Sequence, residues 1–186
     1  MKITLAGSPG SGKSTLRNML AEHYGLKIKG TGDFMRELSK EHGYSDITKF
    51  IAEYVSEHPK LDLQVDEEQR IYGEENDDFV LDAHLGCHFV PDSIRICLRS
   101  DTVESARRIM EDKKTTMEDT KTFSESIESS VKRREVMRNN YYNLYQVDID
   151  DPDNFDFVLD TTSLSYEEVF KEVKSFIEQR ISKIEV

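Results

Sequence analysis

A chain of 186 residues, 37 % hydrophobic and 33 % charged, has room for one α/β core with a small insertion. Its net charge of −12 excludes a general nucleic-acid or membrane-surface binder, because phosphate backbones and anionic lipids repel such a surface, but it leaves room for one small anion held by a local basic cluster. No run of about 18 apolar residues could cross a bilayer and no secretory segment precedes the first motif, so a cytoplasmic location is expected.

Lys2-Ile3-Thr4-Leu5-Ala6 predicts a short strand that runs into a Gly-rich turn. A helix from about Lys13 to Tyr24 follows, with Leu16, Met19 and Leu20 at helical spacing. Leu26-Lys27-Ile28-Lys29 alternates like a half-buried strand, and Asp33 has the form of an N-cap for a helix that closes at Gly43. Residues 46–76 predict two further short helices split near His58-Pro59. Phe79-Val80-Leu81 and Ile94-Arg95-Ile96-Cys97-Leu98 are continuous apolar runs of the buried parallel-strand type. Cys97 is therefore expected in the core; with Cys87 it makes neither a CxxC pair nor a disulfide framework. Asp101 and Glu104 have capping-box spacing for a helix through Ile109. Residues 118–145 predict a long exposed helix, and Phe157-Val158-Leu159 a last buried strand. Ser165 and Glu168 then cap a terminal helix with the stripe Val169, Phe170, Val173, Phe176, Ile177 and Ile181. Strands separated by helices imply a parallel sheet covered on both faces, in one domain spanning 1–186.

Gly7-Ser8-Pro9-Gly10-Ser11-Gly12-Lys13-Ser14 matches GxxxxGK[ST] in full, and Thr15 extends the set of residues facing a phosphate. The glycines let the backbone turn successive N–H groups inward, and the helix N-terminus adds partial positive charge. Lys13 is placed to reach the β- and γ-phosphates of ATP, and the Ser14 hydroxyl to ligate Mg²⁺. A carboxylate at the end of a neighbouring strand should support that ion. Asp82 has this position, although an Asp there also serves as a loop cap; Asp33 is a second candidate. Phosphoryl transfer also needs mobile positive charge, and Lys132-Arg133-Arg134 with Arg138 is the dense basic cluster of this acidic chain. Arg134 and Arg138 share a helix face, and the same side chains could instead form a solvated face with Glu125, Glu128 and Glu135.

These residues resemble the nucleoside monophosphate kinase family, in particular its short archaeal-type cytidylate kinase-like branch. Thr31-Gly32-Asp33-Phe34-Met35-Arg36 is similar to the family's acceptor motif, which implies that Arg36 holds the acceptor phosphate and Thr31 lines the base pocket. Phe79 to Gly86 resembles a segment in which the family carries an Arg near the position of His84. A His cannot reproduce a guanidinium fork, so either Arg70 compensates or the acceptor differs from CMP. The Lys132 to Arg138 cluster is similar to the family's lid arginines, and Tyr145 to Asp151 to a stretch typical of the branch. The resemblance implies a three-layer P-loop NTPase fold of the α/β class, with a five-stranded parallel sheet, an acceptor-side helical segment at about 32–76 and a lid at about 113–140. It implies ATP and Mg²⁺ as cofactors, Lys13, Arg133, Arg134 and Arg138 as catalytic residues, and a nucleoside monophosphate, CMP or dCMP, as the partner. Nucleic acid and membrane are not expected, and oligomeric state is left open, a monomer being admissible. Two rivals remain: an alcohol kinase, which would need Asp33 or Asp66 as a base, and a nucleotide-binding protein that has lost its acceptor site.

Overall fold

The computed structural model describes residues 1–45, 49–54, 58, 61–116 and 123–184. Among them five strands form one sheet in the order β2-β3-β1-β4-β5, and every neighbouring pair is parallel. The strands are β1 (Lys2–Gly7), β2 (Lys27–Gly30), β3 (Phe79–Asp82), β4 (Ile94–Arg99) and β5 (Phe157–Asp160). Parallel neighbours need crossovers, and the crossovers place helices on both faces. Period-two alternation then divides the core. Ile3, Leu5, Val80, Ile96 and Leu98 meet Leu16 and Leu20 of α1 (Lys13–Tyr24) and Val169, Val173 and Ile177 of α7 (Tyr166–Ile184). Phe79 and Leu81 point the other way, onto Phe34 and Leu38 of α2 (Thr31–Glu41) and Val65 of α3 (Leu61–Glu75). Cys97 joins Ala6, Phe155 and Cys87 of the short α4 (Gly86–Phe89); both cysteines are free and buried. Helices α5 (Thr102–Thr116) and α6 (Phe123–Tyr145) pack on each other after the chain leaves β4.

Several expectations change in detail. Helix α2 starts at Thr31 with Gly30 in the N-cap position and no side-chain cap, so Asp33 is not the N-cap. The reason is register: β2 stays paired through Gly30, opposite Asp82, and the chain turns directly into the helix. Asp33 instead sits in the first turn, where a negative charge suits the helix N-terminus. Ile28 lies 43 % exposed on the edge strand, while Lys29 turns inward over the Phe34 ring and pairs with Glu37. The helix expected to end at Ile109 continues to Thr116. Of the two short helices expected in 46–76, the described part of the first includes a wide turn, Phe50–Tyr54, with 46–48 and 55–57 outside the described residues, and the second is α3. Part of the break near His58-Pro59 lies outside the described residues, as do 117–122 of the expected lid.

The two capping boxes differ. Ser165 and Glu168 form a reciprocal pair, Glu168 N donating to Ser165 Oγ (3.2 Å) and Ser165 N to Glu168 Oε2 (2.8 Å). Asp101 accepts from Glu104 N at 2.8 Å, but the return bond is absent. The Glu104 carboxylate is taken by Arg107 and Arg108, and Asp101 N donates to Thr162 Oγ1 instead.

Asp156 ties β4 to α7. It accepts from Arg95 N and from both sides of the Arg95 guanidinium, and Arg180 lies 3.0 Å away. Burial alone would raise its carboxyl, but the Arg95 hydrogen bonds and the Arg180 charge win and hold it below the usual range. A depressed carboxyl contributes stability above the unfolded value of about 3.9, and the contribution is lost as pH falls through the folded value. Asp156→Asn is therefore expected to cost on the order of 1–3 kcal/mol at pH 7 and progressively less below about pH 4. Thermal melts of both proteins across that range test this; a loss independent of pH would assign Asp156 a packing role alone.

Candidate active site

The carboxyl ends of the three adjacent strands β2, β3 and β1 build the centre of the site. Gly30 is in register with Asp82, and Asp82 with Leu5, so the ends of β2 and β3 lie beside the turn that leaves β1. In open parallel sheets ligands bind at this edge, because helix N-termini converge there.

The turn after β1 follows the Gly-rich pattern closely. Gly7, Gly10 and Gly12 all have positive φ. A Cβ on Gly7 would stand 2.0 Å from the Leu98 carbonyl oxygen, and one on Gly10 would stand 2.5 Å from that of Ser105, so the backbone path tolerates no side chain there. Ser11, 1 % exposed, donates its hydroxyl to Ser8 O (2.8 Å), and its carbonyl accepts from the buried Thr161 hydroxyl (3.0 Å). The Lys13 ammonium folds over the loop and donates to Gly7 O (2.8 Å) and Ser8 O (2.9 Å). These are the contacts of a strong cation poised within an anion cradle. Ser14 and Thr15 open α1, with Ser14 exposed towards the cleft.

Asp82 closes β3 with a side chain 18 % exposed. Burial pushes its carboxyl above the usual range against the opposing pull of Lys13 and Arg17, and Asp33 adds to the rise. No group of three or more His, Cys, Asp or Glu among the described residues is arranged to hold a metal. The Ser14 hydroxyl and the Asp82 carboxylate are hard oxygen donors of the kind Mg²⁺ takes, and they fit a metal that completes its shell with phosphate oxygens and water.

Among the described residues, four helices surround the cradle. Pro9, Gly12 and Lys13 share a cavity of about 590 Å³ with Arg107 and Arg108 of α5 and with Leu164 and Tyr166 near the start of α7. Arg108 is fixed there by bonds to Glu104 and to the carbonyls of Thr161 and Thr162. A second cavity of about 300 Å³ lies between Ser8 and Pro9 of the loop, Arg99, and Val131 and Arg134 of α6. Arg134 pairs with Asp150, and Arg138 with Asp148 at 2.5 and 2.7 Å. The Arg133 side chain lies outside the described residues. On the opposite side Thr31 begins α2, and the Arg36 guanidinium bends back over Gly32 to Asp33 (2.5 Å) while remaining 57 % exposed. His84 is half-buried in the turn two residues after Asp82.

The structure thus brings the Gly-rich loop, Asp82, Asp33, Thr31 and Arg36 to one edge and places Arg134 on the far wall of the loop. Arg70 is not brought there; it pairs with Glu67 and Glu74 of its own helix. Asp66 is buried and accepts from the Tyr145 hydroxyl (2.8 Å) and from Gln69 (3.1 Å). Sequence reasoning missed Arg108, Tyr166 and Thr161, which carry no motif and gather only through the fold. It also missed Arg17, which does carry a signal: it sits one turn beyond Lys13, inside the stripe formed by Leu16, Leu20 and Ala21.

Comparison with known proteins agrees with this geometry. The family model described as an AAA domain matches residues 6–128. The chain is 32 % identical over 164 residues to the cytidylate kinase of Methanosarcina acetivorans, covering 87 % of each chain. It is 31 % identical to that of Methanopyrus kandleri, covering 97 % of this chain and 95 % of that one. Among solved structures, a shikimate kinase from Acinetobacter baumannii superposes with a TM-score of 0.57 at 15 % identity, covering 96 % of this chain and 93 % of the other, which is a likeness of fold.

Proposed function

The chain belongs to the cytidylate kinase family of P-loop phosphotransferases, and on that premise we propose that it transfers the ATP γ-phosphoryl group to a nucleoside monophosphate, with CMP or dCMP as acceptor. One observation carries the reading. The loop after β1, the carboxylate ending β3 and the helix that starts with Thr31 leave three adjacent strands at a single edge, so a donor and an acceptor phosphate can meet there. The cytosine preference rests on the names of the relatives.

The triphosphate lies along the backbone N–H groups of residues 7–13, with Lys13 swinging from the Gly7 and Ser8 carbonyls to the β- and γ-phosphates. Its base occupies the cavity between Arg108 and Tyr166. Ser14 and Asp82 would hold Mg²⁺, which would supply charge neutralisation on the phosphate oxygens, and Asp33 is close enough to Asp82 for its charge to be felt there. Arg36 leaves Asp33 for the acceptor phosphate, Thr31 and His84 border that site, and Arg133, Arg134 and Arg138 move onto the transferring group as α6 closes. An acceptor phosphate oxygen forms the new bond to the γ-phosphorus as the bond to the β,γ-bridging oxygen breaks, giving ADP and a nucleoside diphosphate. The attacking oxygen is already ionised and no base is required. An alcohol acceptor would require one; of the two candidates, the Asp66 carboxylate is occupied by Tyr145 and Gln69 and that of Asp33 is paired with Arg36.

Turnover of CMP, dCMP, UMP, AMP and GMP with Mg·ATP tests the reading; fastest turnover with the cytosine nucleotides is expected, and none with any of the five would refute it. Arg36→Ala is expected to raise the acceptor KM about tenfold to a hundredfold, the loss of a charged hydrogen bond worth roughly 1.5–3 kcal/mol, and to spare the ATP KM. An equal rise in both constants would remove Arg36 from the acceptor site.

A further inference from the structure

We propose that Arg17 is a second clamp on the acceptor phosphate, standing between the γ-phosphoryl position at Lys13 and the acceptor helix α2; the inference rests on the monophosphate kinase reading above. Its location is specific. Arg17 Nη1 is 3.5 Å from Asp82 Oδ2, and a Cβ built on Gly30 would lie 3.7 Å from Arg17 Nη1 and 3.6 Å from Asp33 Oδ2. The guanidinium therefore occupies the gap between the ends of β3 and β2, on the side from which Thr31 and Arg36 depart.

Its bonding is equally specific. Every other arginine side chain among the described residues has a carboxylate or carbonyl oxygen within 3.0 Å: Arg36, Arg70, Arg107, Arg134 and Arg138 hold carboxylates of their own helix or the loop after it, Arg95 and Arg180 share Asp156, and Arg99 and Arg108 bind main-chain carbonyls. Arg17 has Asp82 at 3.5 Å and Asn18 Oδ1 at 3.3 Å from Nε. A guanidinium carries five N–H donors, and one held 24 % exposed with contacts this long retains its capacity for two parallel bonds to a phosphate.

Its place on the helix sets the third condition. Arg17 interrupts the inward stripe of α1 beside Leu16, Leu20 and Ala21, where an apolar residue would pack. A cation at such a position needs an anion in front of it. The Asp82 carboxylate partly supplies one, and an acceptor phosphate between Arg17 and Arg36 completes it. The rotation that brings Arg36 away from Asp33 also removes the nearest competing pair from this gap.

Steady-state kinetics with CMP and ATP, with calorimetric CMP binding in the absence of ATP, test the assignment on wild type, Arg17→Met and Arg17→Gln. Arg17→Met is expected to raise both the acceptor KM and the CMP Kd about tenfold to a hundredfold, with the ATP KM changed less than about twofold and Tm within about 2–4 °C of wild type. Arg17→Gln keeps length and helix propensity, and it reads the same split if the Met variant folds poorly. Unchanged CMP affinity in either variant overturns the proposal while leaving the kinase reading intact. So does an equal rise in both KM values with a falling Tm, which marks a packing residue. A wild type that binds and phosphorylates no nucleoside monophosphate refutes the kinase reading and the clamp with it.

Discussion

Replacement of Lys13 by Ala is expected to reduce kcat/KM by at least about 10³, since removing even one neutral donor from a transition-state site costs about 10²–10³ and Lys13 brings a full charge. The structure places its ammonium 2.8 and 2.9 Å from the carbonyls of Gly7 and Ser8, inside the loop it must serve. Those two bonds are weak competitors for it, because a triphosphate offers several charged oxygens in the same space. The variant should fold, since Ala suits the first turn of α1 and the lost contacts face the cleft rather than the core. Circular dichroism and a melt would establish folding, and coupled ADP release would measure the rate. A folded variant within about tenfold of wild-type turnover would defeat the assignment of Lys13.

Arg134→Ala should fall almost as far, with kcat reduced about 10²–10³ and both KM values changed much less. Charge supplied late to a transferring phosphoryl group acts on the transition state; arginines in this role are worth about 10³–10⁵ in other phosphotransferases. In this structure Arg134 lines the cavity against Ser8 and Pro9 but is held by Asp150, which Arg99 fixes in turn through its carbonyl (2.6 Å). The ion pair therefore holds Arg134 beside the loop, and in the proposed reaction Arg134 must exchange Asp150 for phosphate. Arg138, 51 % exposed on Asp148, should give a smaller loss when replaced. Single-turnover rates at saturating ATP and CMP separate the two variants. If Arg134→Ala lowers Tm and leaves the single-turnover rate unchanged, the Arg134–Asp150 pair is a structural latch between α6 and the loop after it.

Much of the frame is legible in the chain. The five strands, the helix after the Gly-rich turn and the long exposed helix all appear near their expected places, because each rests on a local period or a local backbone need. Gly7, Gly10 and Gly12 are readable for the same reason: positive φ and close backbone approach admit little else. Asp33 shows where local signals stop. Its capping chemistry is sound, yet pairing of β2 through Gly30 with β3 moved the helix start ahead of it. Ile28 shows the same limit, since a period-two pattern cannot say that β2 lies at the sheet edge.

The sequence by itself determined the parallel α/β class and the Gly-rich loop, and it named Lys13 and Ser14 from that motif, Asp82 from the end of an apolar run, Arg134 from a basic cluster and Arg36 from a family resemblance. Only the tertiary structure decided which charges share a space. Arg70, a reasonable substitute on paper, turned to Glu67 and Glu74 because an i,i+3 and i,i+4 pair on its own helix is always within reach. Arg17 came to face Asp82 from 65 positions away in the chain, because strand order β2-β3-β1 sets the end of β3 beneath the first turns of α1. Arg108, Thr161 and Tyr166 meet the loop in the same manner. Such encounters depend on sheet order and helix crossing, long-range quantities that no window of neighbouring residues encodes.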